Sequence, residues 1–274
     1  MAGAAMLVLV RGIGDVASAV AHRLFLEGHA VAIQDGPALP TAHRRGMAFA
    51  DAVFNGAAEL AGVSARLVDG PGSLVREARR RAFIPVAAGP AAPYLAAAAW
   101  DVLIDARMRK RAAPETQRGL ARLVLGLGPG FVAGGNVDLA IETAWGERLG
   151  AVVEAGPTLP LGGEPRAIAG IGRERLAYAP ATGVWRTGLA IGDPVEAGQV
   201  VGHLGEVPVA APLRGILRGL TRDGVPVTQG TKIVEVDPRG PGQALLRGLG
   251  ERPRRIAEGV AAALSRFGRG GSLP

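Results

Sequence analysis

The chain has 274 residues and a formal net charge of +7, with 48% hydrophobic but only 4% aromatic residues, so its core must be built of Ala, Val, Leu and Ile. It has no cysteine, which excludes disulfides, thiolate metal ligands, iron–sulfur clusters and a persulfide-carrying role for this chain. No apolar run of about 18 residues is free of charges or helix breakers, so no membrane-spanning helix is expected.

Met6–Val10 is a short apolar run that passes directly into Arg11-Gly12-Ile13-Gly14-Asp15. It reads as a first strand rather than a signal peptide, and a cytoplasmic protein is expected. Val16–Leu26 then carries apolar residues at helical spacing, Gly28 is a helix stop, and Ala30–Ile33 is a second strand. Strand, glycine turn, helix and strand open a βαβ unit. Ala65–Val68, Ile84–Ala87 and Val102–Asp105 continue the strands, with helices expected at Leu74–Arg81 and Pro93–Ala99. This alternation predicts a Rossmann-like parallel sheet domain over residues 1–115. Leu120–Leu125, Val137–Ile141 and Ala151–Val153 are further strand candidates in a bridging α/β region, 116–175, that contains a Gly-rich loop.

From about Leu176 the chain becomes short strands punctuated by Gly and Pro, and it repeats. Gly183, Gly192, Pro194-Val195, Gly198 and Val201 recur 32 residues later as Gly215, Gly224, Pro226-Val227, Gly230 and Ile233. Constant spacing over that many positions predicts two similar β-units that need each other to close a core. The expected β-module spans 176–240, followed by a C-terminal helix, Ile256–Leu264, within a tail segment 241–274.

Gly12, Gly14 and Ala17 fit G-x-G-x-x-A between a strand and a helix. Gly12 allows a tight turn, Gly14 a close approach of backbone to phosphate, and Ala17 close packing of helix on strand. The helix N-terminus offers free N–H groups to an anion. Asp35 ends the second strand about 20 residues on, where a ribose-binding acid is expected. Asp15 lies inside the turn, where it would repel phosphate unless it faces away or holds a ligand hydroxyl. A structural turn with no ligand accounts for the same residues.

Three further groups are candidates for anion binding. Arg44 and Arg45 follow the second strand and read either as phosphate ligands or as a solvated basic turn. Asp105 ends a strand and precedes Arg107, Arg109, Lys110 and Arg111, a cluster suited to the carboxyl edge of a parallel sheet or to a charged surface loop. Gly126, Gly128 and Gly130 form a loop that reads as an anion-binding nest or as a tight structural turn. Lys110 and Lys232 are the only lysines; arginine therefore carries the positive charge, and it suits bidentate binding of phosphate or carboxylate. A compositional bias toward Arg, Ala and Gly gives the same picture. Scarce aromatics and interleaved acids argue against nucleic acid. His22, His29, His43 and His203 lack ligand-type spacing, so no metal site is expected, and there is neither a Gly-x-Ser-x-Gly elbow nor a Walker motif. Asp138 and Glu142, four apart, read as a solvated helix face.

The repeat, with Gly-Asp-Pro-Val-x-x-Gly at Gly192–Gly198, resembles the barrel-sandwich hybrid of biotinyl and lipoyl domains. Those carry the cofactor on a hairpin lysine; here His203–Val209 has no lysine and Lys232 falls late in the second unit, so no covalent biotin or lipoate is expected. The chain as a whole resembles the selenium-dependent molybdenum hydroxylase system proteins. The resemblance lies in Arg11-Gly12-x-Gly14-Asp15-x-Ala17, Arg44-Arg45-x-x-x-Phe49-x-x-Ala52-Val53 and Asp105-Ala106-x-Met108. It continues in Gly126–Phe131-x-Ala133-Gly134, Ile141-Glu142-Thr143, Leu217–Leu220 and Asp237-Pro238-Arg239. The N-terminal part is also similar to the nucleotide-binding half of xanthine dehydrogenase accessory proteins.

These resemblances imply a cytoplasmic maturation factor that binds a molybdopterin-type cofactor or its dinucleotide form and works with molybdenum hydroxylase subunits. Sulfur or selenium, if delivered, would come from a partner. The alternatives are an NAD(P)-dependent oxidoreductase with the same glycine fingerprint, and a non-catalytic scaffold docking on a hydroxylase.

Overall fold

A computed structural model describes residues 4–109, 113–162 and 165–268. The chain divides into two units: Met1–Ala38, Ala48–Gly162 and Leu249–Pro274 form the first, Leu39–Met47 and Gly163–Gly248 the second.

In the first unit the chain runs β1 (Leu7–Arg11), α1 (Asp15–Leu26), β2 (Ala30–Asp35), α2 (Ala52–Asn55), β3 (Ala57–Leu60), β4 (Val63–Leu67), α3 (Gly70–Arg80), β5 (Ile84–Ala88), α4 (Ala91–Leu95) and β6 (Val102–Asp105). β7 (Leu123–Leu127), β8 (Val132–Ala133), β9 (Leu139–Ile141), β10 (Val152–Val153) and β11 (Gly156–Pro157) follow. Nine strands form one sheet in the order β10-β9-β7-β6-β1-β2-β5-β4-β3, and β8 and β11 pair separately. The seven inner strands are parallel. β3 and β10 close the two edges antiparallel.

All five residues of β1 are buried, as expected of a strand covered on both faces. Leu7, Leu9, Ala30, Ala32 and Leu103 share a core with Leu74 and Ala78 of α3, Tyr94 of α4 and Trp100. On α1, Val16, Ala17, Val20, Ala21 and Leu24 are buried. α1 packs against the last helix, α5 (Glu251–Gly268). Ile256, Val260, Ala263 and Leu264 of α5 are buried at helical spacing. α5 meets the turn before β10 backbone to backbone: a Cβ at Gly259 would overlap the Gly150 carbonyl, and one at Gly150 would overlap the carbonyl of Arg255.

The second unit holds β12 (Leu176–Tyr178), β13 (Gly183–Arg186), β14 (Pro194–Val195), β15 (Val200–Leu204), β16 (Val207–Ala210), β17 (Gly215–Leu220), β18 (Pro226–Val227) and β19 (Lys232–Asp237). They make two antiparallel sheets, β12-β19-β17-β14 and β16-β15-β13-β18. The 32-residue offset recurs in strand starts, 183 to 215, 194 to 226 and 200 to 232. The two copies exchange a strand: β14 of the first pairs with β17 of the second, and β18 of the second with β13 of the first. Neither copy completes its sheet alone.

The expected fold class, a Rossmann-like parallel sheet domain plus a barrel-sandwich hybrid, is corrected to a mixed α/β unit with one large sheet and a second unit of antiparallel sheets. The physical reason lies at the edges. Ala61 and Gly62 both have positive φ, 47° and 80°, and link the pair Leu60–Val63. This two-residue turn folds β3 back on β4. At the other edge β10 turns back on β9. Strands β7, β9 and β10, from the region expected to bridge, belong to the same sheet, and α5 belongs to the first unit.

Replacing Gly259 with Ala should force α5 off the Gly150 turn and cost about 1–3 kcal/mol of stability. Urea denaturation measures this, and an unchanged midpoint would mean that the backbone contact does not hold the helix.

Candidate functional site

After β1 the chain builds β2, β5 and β4 on one side. It then returns to the opposite side of β1 as β6 and proceeds to β7 and β9. β1 and β6 are parallel neighbours whose connections leave in opposite directions, the topological switch point at which open α/β sheets form a crevice. The register aligns Gln34, Arg11, Asp105 and Gly126 across β2, β1, β6 and β7. The first unit therefore brings Gly12, Gly14, Asp15, Asp35, Asp105 and the Gly126–Gly130 loop to one edge of its sheet. Ala17 lies fully buried one turn into α1. Lys110 lies outside the described residues.

The two fingerprint glycines differ in what demands them. Gly12 has φ +105°, and a Cβ there would stand 2.9 Å from the Ala106 carbonyl oxygen and 3.0 Å from Arg107 Cα. The crossing of the β1 and β6 exits therefore requires this glycine. Gly14, the N-cap of α1, has φ −66° and ψ −179°, backbone that any residue adopts. A Cβ there meets nothing within 4 Å. Ser18 fixes the turn from beneath: its hydroxyl donates to the Ile13 carbonyl at 3.1 Å and accepts from Phe49 N–H at 2.9 Å. Asp15 accepts from Val16 N–H at 3.0 Å.

Asp35 is pushed above the usual carboxylate range by burial, against the opposing pull of the Gly36 N–H and the Arg107 charge. Asp105 goes the other way. Burial alone would raise it, but Arg107 and Gln117 hold it below the usual range. Its carboxylate, 1% exposed, accepts from Arg107 Nε at 2.9 Å and from Gln117 Nε2 at 2.6 Å. Asp105 thus orients neighbours rather than facing a ligand. Arg11 donates to Gln117 Oε1 at 2.8 Å and to Glu115 Oε1 at 3.2 Å. Its buried Nε has no partner among the described residues. Arg107 and Arg109 also reach Glu115. Three arginines against two carboxylates leave this cluster with a net positive charge.

The sequence reading overlooked Glu115 and Gln117, which sit on an irregular segment with no periodic signal. Arg11 had a visible one: an arginine ending an otherwise apolar strand. In the loop expected to be a nest, the glycines answer to protein atoms. A Cβ at Gly126 would overlap the Phe131 ring, and one at Gly128 would come within 2.9 Å of Thr143 Oγ1. At Gly130, 2.8 Å would separate it from Pro114. The Thr158 hydroxyl donates to the Gly128 carbonyl at 2.7 Å. Packing therefore explains the Gly126, Gly128 and Gly130 pattern. Asp138 and Glu142 flank β9 rather than a helix face. Asp138 accepts from Val124 N–H and Arg118 Nε, and Glu142 from the N–H groups of Thr143, Ala144 and Leu159.

Arg44 and Arg45 were expected beside a ligand; both belong to the second unit. Arg45 Nε donates to the Leu220 carbonyl at 3.0 Å. Arg44 donates through Nε and Nη2 to Glu235 at 2.8 and 3.1 Å. The fully buried Glu235 also receives Arg175, Arg218 and His43. Burial would raise its pKa, but His43 and the arginines hold it far below the carboxylate range. Among the described residues no group of three or more His, Asp or Glu could hold a metal ion, and no helix is long and apolar enough to cross a membrane.

No family model matches the chain. It is 38% identical over 258 residues, 94% of its length, to a protein of Escherichia coli (strain K12) described as "Uncharacterized protein YqeB". The chain spans about half the length of this curated relative, 47%. Among solved structures, the succinylglutamate desuccinylase/aspartoacylase of Rhodobacter sphaeroides matches at 19% identity and TM-score 0.23, over 50% of this chain and 58% of that one. The product-bound ectoine utilization protein EutE (DoeB) of Ruegeria pomeroyi matches at 17% identity and TM-score 0.22, over 24% and 23% of the two chains. Similarities this low carry nothing about activity.

Two outcomes follow. Because the folded-state pKa of Asp35 is raised, its ionised form detracts from stability once the pH exceeds the unfolded value. Asp35→Asn should therefore raise Tm at neutral pH, with the gain vanishing in acid, as thermal melts over a pH series will show. Glu235→Gln should leave buried arginines without their counter-charge and destabilise by about 3–5 kcal/mol, read in urea at neutral pH. Since the pKa of Glu235 is depressed, its stabilisation is present above the ordinary carboxylate pKa and declines as the pH falls below it. A wild-type and variant gap that stays constant into strong acid would contradict this account.

Proposed function

We propose that this protein is a cytoplasmic accessory factor for molybdenum hydroxylase maturation that holds a phosphorylated molybdopterin-type cofactor, or its nucleotide form, at the carboxyl edge of the first unit's sheet. The observation carrying the binding part is Gly14. It is the N-cap of a 12-residue helix, with ordinary backbone and open space where its Cβ would stand, while Asp15 takes up the Val16 N–H of the first turn. The protein's own packing makes no demand for glycine there, whereas a phosphate resting on the helix N-terminus does. The neighbouring arginine cluster has the charge to accept such a group, so the residues present fit a phosphorylated ligand. Within this reading, the α1 N-terminus and Arg107 and Arg109 bind and orient the phosphate part. Asp35 accepts from a ribose or ring donor. The maturation role and the hydroxylase partner rest on the segment resemblances. The YqeB relative supplies no activity to carry over.

One observation favours a second reading, a nicotinamide dinucleotide in an oxidoreductase. Asp35 ends β2 next to β1, where the ribose of a dinucleotide lies in many open α/β sheets.

Native mass spectrometry with ultraviolet–visible absorbance, on protein purified gently from its own host, tests both. A pterin nucleotide mass is the expected result, an NAD(P) mass would shift the reading to the oxidoreductase, and protein without any bound anion would overturn the binding site. Gly14→Asp sharpens the test. Aspartate is a good N-cap, so stability should stay within about 0.5 kcal/mol. The carboxylate at the phosphate position should nonetheless remove the bound mass, and its retention would rule out Gly14 as the contact.

A further inference from the structure

Glu115 is 46% exposed, yet three arginines converge on it: Arg11 Nη1 at 3.2 Å, Arg107 Nη2 at 2.6 Å and Arg109 Nη2 at 2.5 Å. Their own side chains are 8%, 21% and 30% exposed. Glu115 is thus the most accessible member of the cluster. Each arginine also has an anchor other than Glu115. Gln117 holds Arg11 at 2.8 Å, Asp105 holds Arg107 through Nε at 2.9 Å, and Arg109 Nη2 stands 3.6 Å from Asp105. Gln117 and Asp105 are themselves joined at 2.6 Å. The cationic frame is therefore assembled beneath Glu115 without depending on it. Among the described residues the buried Nε of Arg11 has no partner, a further donor in the cluster.

We propose that Glu115 is an internal stand-in for a ligand's phosphate, a carboxylate that occupies the arginine cradle at the β1–β6 switch point and that a dianionic phosphate or diphosphate group displaces. The inference deepens the binding reading above and rests on it. Charge sets the ligand class. With Glu115 seated, three arginines face two carboxylates and one positive charge remains. With Glu115 swung out, Asp105 is the one carboxylate still paired with them among the described residues, and the positive charge left over suits a phosphate dianion. Phosphate also brings more acceptor oxygens than a carboxylate, enough to engage several guanidinium groups at once. Burial would raise the pKa of Glu115, but hydrogen bonds from Arg107 and Arg109 hold it well below the usual range. Protonation near neutral pH therefore does not release it; a competing anion must.

The test is isothermal titration of the full chain with inorganic pyrophosphate at fixed ionic strength, using wild type, Glu115→Gln, Arg109→Gln and Gly14→Asp. Glu115→Gln keeps the size of the side chain while removing its charge, and it should bind about tenfold more tightly than wild type, a change of about 1.4 kcal/mol. Arg109→Gln should bind about tenfold more weakly. Equal or weaker binding in Glu115→Gln, or no heat in either it or wild type, overturns the stand-in and makes Glu115 a structural ion-pair partner. If Gly14→Asp removes the native bound mass while Glu115→Gln leaves pyrophosphate affinity unchanged, the binding reading survives and this inference falls. If Glu115→Gln tightens pyrophosphate and Gly14→Asp has no effect on either ligand, the arginine cradle stands and the Gly14 assignment falls.

Discussion

The first unit depends on one close approach of backbone to backbone, where the chain leaving β1 passes the chain leaving β6. At Gly12 the space that a Cβ would fill is taken by the Ala106 carbonyl and Arg107 Cα. The turn is tied further by Gly12 N–H to the Gln34 carbonyl at 2.8 Å and by Ala106 N–H to the Arg11 carbonyl at 2.9 Å. This crossing fixes the direction in which α1 starts and sends the segment after β6 over the strand ends. Arg107 is thereby set beside Asp105, and Arg11 under Glu115. The polar cluster is a consequence of the crossing, which brings the ends of the β1 and β6 connections together.

Two buried carboxylates, Asp105 and Glu235, each gather more than one arginine. Asp105 and Glu235 are both nearly inaccessible, and both are held ionised by arginine hydrogen bonds that outweigh burial. Removing such a carboxylate is costly because it strands the cations around it. Asp35 is the contrast. It is also desolvated, but among the described residues Arg107 acts on it only through its charge, without a hydrogen bond, and its pKa moves upward. A carboxyl group kept short of a partner in a polar crevice is the pattern expected of a ligand-facing residue. Asp105, better placed by strand position, is spent on internal structure.

The second unit depends on exchange rather than crossing. Each copy of the 32-residue repeat lends its two-residue strand to the sheet of the other. Trp185, fully buried, donates from Nε1 to the Thr221 carbonyl at 3.0 Å across the repeat. A Cβ at Gly202 would overlap its ring. Two short halves that could not bury such a side chain alone do so together, which explains the spacing that both halves keep.

Much of this was legible in the sequence, and for identifiable reasons. Apolar runs such as Leu7–Val10 and Ala30–Ile33 announced strands because burial on both faces demands continuous hydrophobicity. The glycine turn announced the start of α1, and the constant offset announced the repeat. These signals are local or periodic, and the chain carries them wherever it folds. The antiparallel edges were not legible, because Ala61 with positive φ is an unusual turn residue and β3 is four residues long with little apolar pattern. The ownership of charges was also invisible. Arg44, Glu115, Gln117 and Glu235 look alike as surface residues in a sequence, and their partners lie far along the chain: Arg44 to Glu235 is a separation of 191 residues and Arg11 to Gln117 of 106. The sequence by itself determined the strand and helix units, the repeat and the glycine positions. Only the tertiary structure decided which glycines serve packing and which is left open, and which charges are neutralised within the fold, since electrostatic pairing depends on distance in space and not on distance along the chain.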